Sequence, residues 1–353
     1  MEIREKLIRS LKGERVVHPA YVVFDAFCQN KKVDWEYLFS LGLGELHHVS
    51  VTRAVRPHCE IVETISRKGE LGRRDRRDVT IKTDIGELHE YYLGVSDDGV
   101  LNWWRMEHFI KKPSDYRILM RALEHSRFEL DDSKFIESEQ NIKNRGITLA
   151  VADRTPFLKI QIDYAGIERF SYDYADQVPE LFELLDLMNE LILDEFQTIN
   201  QSQVEYVKLW ENIYINAVGP QAYRTQIVPV YEKILDMFSR TGKNLIVHYD
   251  GKNRLISEDI KRLGFDIDSF TPPPEGDMTT KEARNAWPDT FLWLHPSLTW
   301  FELPAYELAS KIRQMIKGAG PYKYSFEISE GVPQNWKESI PVVLKTLQQM
   351  SDF

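Results

Sequence analysis

Three residues that can bind a metal ion follow two β-rich runs of the sequence. Glu211 comes directly after the run 204–210, while His248 and Asp250 come at the end of the run 244–249. In a (β/α)8 barrel the carboxyl ends of the strands meet at one rim, so these side chains are expected to collect there. Because glutamate, histidine and aspartate are all zinc ligands, the sequence predicts a metal site whose catalytic residues are Glu211, His248 and Asp250.

The third ligand of this site is open on the sequence alone. Asp250 lies two residues after His248, and on a strand this spacing lets it either bind the metal or orient the imidazole. Gln226, Glu327 and Glu330 are the other candidates, and a carboxylate is preferred to the neutral Gln226. The structural alternative is that His248 makes a hydrogen bond within the rim and that Glu211 pairs with an arginine.

Other residues near predicted strand ends are candidates for substrate contact. Aromatic side chains could stack on a ring or surround a methylated group, although an ordinary core role is the alternative for each. For the polar residues, the alternatives are structural ion pairs and rim hydrogen bonds. The substrate-binding candidates are Phe24, Asp163, Tyr164, Trp210, Asn212, Tyr249 and His295, and further aromatic candidates are Phe27, Trp103, Trp104 and Tyr214.

The elements that must position these residues alternate regularly from about residue 145 onward. Short β-rich runs are followed by segments with apolar residues at three- and four-residue spacing, a pattern typical of βα units around a parallel sheet. We therefore predict an α/β protein of the (β/α)8 TIM-barrel type, although the strands found fall one or two short of eight. The runs are 147–153, 204–210, 244–249, 265–270, 291–294 and 323–328, and the helical segments are 179–198, 220–240, 257–263, 306–317 and 336–350.

Residues 1–145 follow a less regular pattern. They begin with an amphipathic helix that has Ile3, Leu7 and Leu11 on one face, and a strand is predicted at 21–24. The stretch 79–92 is typical of a hairpin, taken here as an insertion above the first barrel strand, and helices are predicted near 113–127 and 132–144. Since the chain has no internal repeat and no long linker, we predict one barrel domain over residues 1–353, with residues 1–145 as a decorated N-terminal segment and 146–353 as regular βα units.

Composition narrows the classes of function. The net charge of −10 disfavours nucleic acid and anionic membrane as partners, so small molecules or proteins fit better. Only Cys28 and Cys59 are present, which excludes a disulfide framework and a four-cysteine zinc site and is typical of a cytoplasmic protein. No apolar run reaches the ~20 residues of a membrane span. The phosphate-binding and nucleophile-elbow motifs are absent, which disfavours nucleotide-driven and serine-hydrolase chemistry.

The order of several short segments resembles that of the uroporphyrinogen decarboxylase superfamily. The resemblance covers most of residues 145–353 and, more loosely, the start of the chain; it depends on the ordered series and on no single motif. It implies a barrel with one of two activities: decarboxylation of a porphyrinogen without a metal, or zinc-dependent methyl transfer to or from a corrinoid carried by a partner protein. The segments are 2–13, 17–19, 207–212, 219–220, 227–234, 245–251, 264–268 and 328–336.

Two departures from the superfamily's patterns favour methyl transfer with oxygen and nitrogen ligands. The decarboxylases carry an arginine-rich motif after the first strand, whereas residues 22–28 contain no arginine. Thiol methyltransferases carry His-x-Cys and a later cysteine, whereas this chain has His248-Tyr249-Asp250 and no cysteine beyond Cys59. The resemblance then implies an O-demethylase-like enzyme in which Glu211 and His248 bind Zn²⁺ and the methyl group of a small molecule, such as an aromatic methyl ether, passes to Co(I).

The expected cofactors are therefore Zn²⁺ and a corrinoid (cobalamin), and the expected partners are a corrinoid protein and a small-molecule methyl donor. A homodimer is compatible with the sequence, and the identity of the donor is open. Two alternatives remain: a metal-free decarboxylase on the same barrel, and a binding protein that has kept the barrel and lost the activity.

Overall fold

A computed structural model describes residues 1–67, 74–97 and 100–349. Fourteen strands occur in these residues, and eight of them form a closed barrel of parallel strands. The strands are β1 Tyr21–Phe24, β2 Gly44–Val49, β3 Thr52–Val55, β4 Glu60–Ser66, β5 Arg76–Thr83, β6 Gly86–Asp97, β7 Val100–Glu107, β8 Arg127–Leu130, β9 Gly146–Ala152, β10 Tyr206–Leu209, β11 Asn244–His248, β12 Asp266–Phe270, β13 Leu292–Leu294 and β14 Tyr324–Ile328.

The α-helices of the described residues are mostly amphipathic segments between these strands. They are α1 Ile3–Leu11, α2 Trp35–Ser40, α3 Pro113–Leu123, α4 Ser133–Ile142, α5 Pro156–Lys159, α6 Ile167–Ala175, α7 Pro179–Ile199, α8 Ile215–Val218, α9 Pro220–Ala222, α10 Val228–Ser239, α11 Ser257–Leu263, α12 Thr280–Ala286, α13 Ala305–Ala319 and α14 Trp336–Gln349. None of them is both long enough and apolar enough to cross a bilayer. The predicted end of the last helix, Met350, lies outside the described residues.

The barrel confirms the predicted (β/α)8 fold. Its strands pair in the order β1, β14, β13, β12, β11, β10, β9, β2, and β2 pairs with β1 to close the ring. Each of the six strands predicted beyond residue 145 is present with bounds within two residues of the prediction, and β1 has the predicted bounds. The carboxyl ends of all eight strands therefore lie at one rim, where barrel enzymes carry their active sites.

The barrel strand that the sequence prediction lacked is β2. Its side chains Glu45, His47 and His48 interrupt the apolar pattern on which a buried strand is recognised. Each of the three has a polar partner in the fold: Glu45 pairs with Arg145, His47 bonds Ser138 at 2.8 Å, and His48 bonds Asp25 at 3.1 Å.

The helix predicted over 220–240 is interrupted. A π-helical turn, Tyr223–Ile227, separates α9 from α10. Pro229 stands at the start of α10, and its lack of an N–H removes a donor from the ladder that would otherwise continue from α9. The helix predicted near 113–127 likewise ends earlier, at Leu123, because His125 has a positive φ of 55° and the chain enters β8 at Arg127.

Contact density divides the chain into two compact units. The first contains the barrel and consists of residues 1–51, 131–152 and the chain from Ser202 onward; the second consists of Thr52–Leu130 and Asp153–Gln201. The second unit holds the antiparallel sheet β4-β5-β6-β7 and the pair β3-β8. The predicted hairpin is confirmed as β5 and β6, but in chain order it follows β2, so the insertion comes after the second barrel strand and not the first. That the whole chain forms one domain stays a prediction.

The core of the first unit fills the inside of the barrel beneath its rim. Val22, Leu46, Ile246 and Trp293 each come from a different strand and are fully buried. Helix α1 packs against this cluster through Leu7, as predicted, with Ile3 and Leu11 beside it. Each such side chain contributes roughly 1.5–3 kcal/mol on burial. Polar side chains inside the barrel require specific partners, because burying an unpaired polar group is costly.

A half-buried carboxyl in the second unit makes the stability of the fold depend on pH. Burial raises the pKa of Glu195 to about 7, although the Thr52 hydroxyl donates to its Oε1 at 3.0 Å. The unfolded chain ionises this carboxyl near pH ~4.3, so the native state loses stability as pH rises from there to about 7, by on the order of 3 kcal/mol in total. We expect Glu195→Gln to be more stable than wild type at pH 8 and equally stable at pH 4, measured by urea unfolding. Glu183→Gln, an exposed position on the same helix, is the control; equal pH slopes for wild type and Glu195→Gln would contradict the assignment.

Candidate metal centre

Three potential metal ligands converge at the rim of the barrel. His248 is the last residue of β11, Asp250 lies two residues beyond it, and Glu330 lies two residues beyond β14. One ligand atom from each lies within 4.8 Å of the other two. Among the described residues, this is the one group of at least three His, Cys, Asp or Glu side chains with such spacing. Three of the predicted metal ligands therefore come together from two separate strands.

The spacing of these atoms fits a bound ion better than direct hydrogen bonds. His248 Nε2 lies 3.9 Å from Asp250 Oδ2 and 3.7 Å from Glu330 Oε1, beyond hydrogen-bond range. Ligand atoms at 2.0–2.2 Å from a tetrahedral zinc ion are about 3.3–3.6 Å apart, so a small contraction would bring these three into position. The Asp250 and Glu330 side chains keep 30% and 29% exposure, which leaves one side of the group open to a substrate.

The imidazole of His248 is oriented from behind by a buried carboxylate. Its Nδ1–H donates to Asp268 Oδ2 at 2.5 Å, which leaves the lone pair of Nε2 facing Asp250 and Glu330. A carboxylate on the far nitrogen is the usual support of a metal-binding histidine, since it fixes the tautomer and the ring orientation. Burial alone would raise the pKa of Asp268, but the ammonium of Lys208, 2.6 Å from Oδ2, and His248 together hold that pKa below its usual range.

An irregularity in β12 directs polar groups toward Glu330. Ser269 has a positive φ of 58°, and the register between β12 and β13 shifts between Ile267 and Phe270. The Ser269 hydroxyl lies 2.5 Å from Glu330 Oε1 and 2.6 Å from Ser329 Oγ. Strained backbone and bulges of this kind concentrate at functional sites, and here the distortion holds the ligand atom of Glu330.

Two further polar groups are buried beside this cluster. Glu327 is fully buried, and its Oε1 accepts the Ser269 N–H at 2.7 Å. Burial and the neighbouring Asp268 raise its pKa well above the ordinary value. His295 Nδ1 lies 3.1 Å from the Glu327 carbonyl oxygen, and burial lowers the pKa of this histidine. Glu330 belongs to the converging group of three and Glu327 does not, so the geometry favours Glu330 as the ligand.

Glu211 lies at the end of a tyrosine network and does not belong to the three-residue group. Its side chain is fully buried and hydrogen-bonds Tyr231, whose hydroxyl is 3.0 Å from that of Tyr249. The Tyr249 hydroxyl donates a hydrogen bond to the Tyr223 hydroxyl at 3.2 Å. The reason is local: Glu211 donates its backbone N–H to Leu209 two residues back, and this tight turn follows β10 directly. The geometry thus pairs His248 with Asp250 and Glu330, where the sequence paired it with Glu211.

The remaining predicted residues of the barrel unit lie around the same rim. Asn212, with a φ of 48°, donates its backbone N–H to the His248 carbonyl at 3.1 Å and so ties the ends of β10 and β11 together. Tyr249 is fully buried in the tyrosine network, and its substrate role stays a prediction. Gln226 is half-buried in the π-helical turn, and its ligand role stays a prediction.

Two of the predicted aromatic residues, Phe24 and Trp210, enclose a cation of the protein itself. The Lys208 ammonium lies 3.9 Å from the centre of the Phe24 ring and 3.7 Å from that of Trp210. His48 packs between the two rings, with centroid distances of 4.4 Å to Phe24 and 5.1 Å to Trp210. Trp210 also contacts His248 at 5.5 Å, so it forms one wall of the candidate centre.

Two predicted substrate residues belong to the second unit. There Asp163 accepts from Arg105 at 3.1 Å and pairs with Arg154 at 3.2 Å and Lys159 at 2.9 Å. Tyr164 is held by its backbone carbonyl, which accepts the Ile110 N–H. These contacts are those of an ion-pair network, the structural alternative noted for Asp163; a substrate role for either residue stays a prediction.

The charges of the first unit's site are unbalanced in the sense that suits a divalent cation. The carboxyl groups of Asp250, Asp268 and Glu330 lie around His248, and Lys208 pairs with Asp268. Burial and the nearby Glu330 raise the pKa of Asp250, which reports the cost of crowding these carboxylates. A dication would offset negative charge in this group and relieve that cost.

Sequence reasoning missed the residues that support the ligands, namely His48, Lys208, Asp268 and Ser269. Parallel barrel strands are normally near-continuous apolar runs, so Lys208 in β10 and Asp268 in β12 were visible exceptions. A charge inside such a run is the signal that could have found them. Ser269 gave no comparable signal, because its role depends on a backbone distortion.

Comparisons with known proteins give distant structural matches. No protein-family model and no curated protein matches the chain. Among solved structures, it is similar to a methyltransferase from Methanosarcina mazei at 12% identity and a TM-score of 0.48, covering 67% of this chain and 65% of that one, less than two thirds of its length. It is also similar to a B12-independent methionine synthase from Shewanella sp. W3-18-1 at 10% identity and a TM-score of 0.46, covering 92% of this chain and 86% of that one.

Proposed function

We propose that this protein is a zinc-dependent methyltransferase related to the corrinoid-dependent branch of the uroporphyrinogen decarboxylase superfamily. It takes a methyl group from a methylated small molecule, such as an aromatic methyl ether, and passes it to the Co(I) of a corrinoid held by a partner protein. The observation that carries the proposal is the convergence of His248, Asp250 and Glu330 at the rim, with His248 oriented by Asp268.

The residues of this centre have separate tasks. His248, Asp250 and Glu330 hold the ion, and Asp268 keeps the Nε2 lone pair of His248 available for it. Ser269 holds the Glu330 carboxylate at 2.5 Å. A bound Zn²⁺ supplies Lewis-acid chemistry, since it polarises the substrate's ether oxygen and makes that oxygen a better leaving group. Trp210 lies beside His248 and adds an apolar wall to the site.

The aromatic contacts favour an ether over a methylated ammonium compound as the donor. Cationic methyl groups are recognised by open aromatic faces, but the faces of Phe24 and Trp210 already enclose the Lys208 ammonium. A second cation at these rings would meet charge repulsion. A neutral methoxylated ring has no such penalty.

Methyl transfer can be tested with free cob(I)alamin and 2-methoxyphenol as probes. We expect the zinc-loaded protein to convert the cobalt spectrum from Co(I) to methylcobalt and to release catechol. Glu330→Ala is expected to lose zinc and to be at least about a hundredfold slower, because it removes one of three ligands. Even the loss of a residue that only supports a ligand costs about 10–100-fold in metal affinity or activity. Glu211→Gln should keep one equivalent of zinc, and Glu338→Ala, at an exposed position of α14, is the matched carboxylate control.

The outcomes separate the proposal from its alternatives. Zinc loss in Glu211→Gln with retention in Glu330→Ala would restore the ligand pair expected from the sequence and contradict ours. Release of CO2 from a carboxylated tetrapyrrole, unaffected by a chelator, would instead support the metal-free decarboxylase. Binding of 2-methoxyphenol without turnover would support a binding protein.

A further inference from the structure

A lysine side chain is completely enclosed inside the barrel, beneath the candidate metal centre. Lys208 projects from β10, and neither it nor its partner Asp268 has measurable side-chain exposure. Lysine is almost never fully buried unless it is paired, because moving an ammonium out of water is costly. As an ammonium, Lys208 is not itself a potential ligand of a cation.

The Lys208 ammonium contacts a carboxylate, an imidazole and two aromatic rings. Nζ lies 2.6 Å from Asp268 Oδ2 and 3.4 Å from His48 Nε2, and it faces the rings of Phe24 and Trp210. His48 can accept this hydrogen bond because its own Nδ1–H donates to Asp25 Oδ1 at 3.1 Å. The arrangement is therefore a continuous chain of contacts from Asp25 through His48, Lys208 and Asp268.

This series of contacts ends at the oxygen atom of Asp268 that orients the candidate ligand His248. Asp268 Oδ2 receives both the Lys208 ammonium and the His248 Nδ1–H, so both donors bind the same oxygen. Asp268 Oδ1 has no hydrogen-bond partner in the described residues. Lys208 thus fixes the position of this carboxylate, and the carboxylate in turn orients the His248 ring.

We propose that Lys208 is a positioning residue of the metal centre. Through Asp268 it holds the His248 ring so that Nε2 points at Asp250 and Glu330, and it does so at a distance from the ion itself. Without the ammonium, the buried carboxylate loses one of its two donors and must move or draw in water, and either change releases the His248 ring. The inference rests on the proposed function only in assuming that the protein binds a metal ion.

Electrostatics alone predicts the opposite effect on metal affinity, which makes the proposal testable. A positive charge near the centre repels a cation, so its removal would tighten binding if Lys208 acted only as a charge. If Lys208 positions His248, its removal weakens binding instead. Loss of a supporting residue typically costs 10–100-fold in metal affinity.

The experiment is a zinc titration of the purified apo-protein against a chromophoric chelator, with Lys208→Met, Lys208→Met/Asp268→Asn and Lys159→Met. Lys208→Met is expected to bind zinc 10–100-fold more weakly than wild type. The double variant should regain much of this loss, since the asparagine carbonyl can accept the His248 N–H and needs no ammonium beside it. Lys159, an ion-paired lysine of the second unit, is the matched control and should leave the zinc affinity unchanged.

Circular dichroism and thermal melting show which variants are folded, and ¹⁵N spectra of histidine-labelled protein report the His248 tautomer directly. If Lys208→Met does not fold, the double variant and these spectra still decide the question. Equal or tighter zinc binding by folded Lys208→Met, or a double variant no better than the single one, overturns the positioning role. A wild-type protein that binds no zinc overturns the proposed function itself, so the two failures are distinct.

Discussion

Replacing His248 by alanine is expected to abolish stoichiometric zinc binding and methyl transfer together. His248 supplies the only nitrogen of the candidate ligand set, and its Nε2 is the atom that both Asp250 and Glu330 face. The two carboxylates left behind would repel each other without a third ligand between them. We expect a loss of metal affinity greater than the ~100-fold typical of a supporting residue, measured by metal analysis after gel filtration and by chelator competition.

The effect should be specific to this histidine. His18, which precedes β1 at the opposite end of the barrel strands, contacts the Leu347 carbonyl and provides the control substitution His18→Ala. His248→Ala should keep the barrel's circular dichroism spectrum, because the side chain lies at the rim above the apolar core. Retention of one tightly bound zinc ion in folded His248→Ala would remove this residue from the centre.

Replacing Asp268 by alanine is expected to damage both stability and metal binding. The substitution leaves Lys208 as a fully buried ammonium without its carboxylate, and breaking a buried ion pair in this way typically costs about 3–5 kcal/mol. The same change removes the acceptor of the His248 Nδ1–H, so zinc affinity should fall 10–100-fold as well. Urea unfolding and zinc titration measure the two losses separately.

Asp268→Asn provides the matched comparison. Its carbonyl can still accept from His248, so the loss of zinc affinity should be smaller than for alanine, while the unpaired charge of Lys208 still lowers stability. An alanine variant that unfolds within about 1 kcal/mol of wild type would show that the pair contributes little. An asparagine variant as poor in zinc binding as alanine would show that the negative charge of Asp268 matters more than its role as acceptor.

Much of the fold follows from periodicity in the sequence. The strands β9 to β14 are β-rich runs that alternate with helical segments, and their bounds differ from prediction by two residues at most. The strand β2 could not be recognised in the same way, because Glu45, His47 and His48 carry side chains whose partners are distant in sequence. The division of the predicted helix 220–240 has a local cause in Pro229, so that break was available from the sequence.

The site was predictable in part for similar reasons. His248 and Asp250 come from one strand end, and their proximity follows from a spacing of two residues. Glu330 was one of several open candidates, since only the closure of the barrel brings the end of β14 near β11 and β12. Glu211 has the right residue type and the right place in the chain, but the turn after β10 directs it toward Tyr231. Side-chain direction after a strand end is a tertiary property, which strand periodicity alone does not determine.

A metal ion bound between His248, Asp250 and Glu330 is the basis of the proposed function. The most direct measurement is a crystal structure of the zinc-loaded protein with anomalous data collected on both sides of the zinc absorption edge. We expect one strong anomalous peak at about 2.0–2.2 Å from His248 Nε2 and from one carboxylate oxygen each of Asp250 and Glu330. No peak at this position, or a peak bound by Glu211 in place of Glu330, would contradict it.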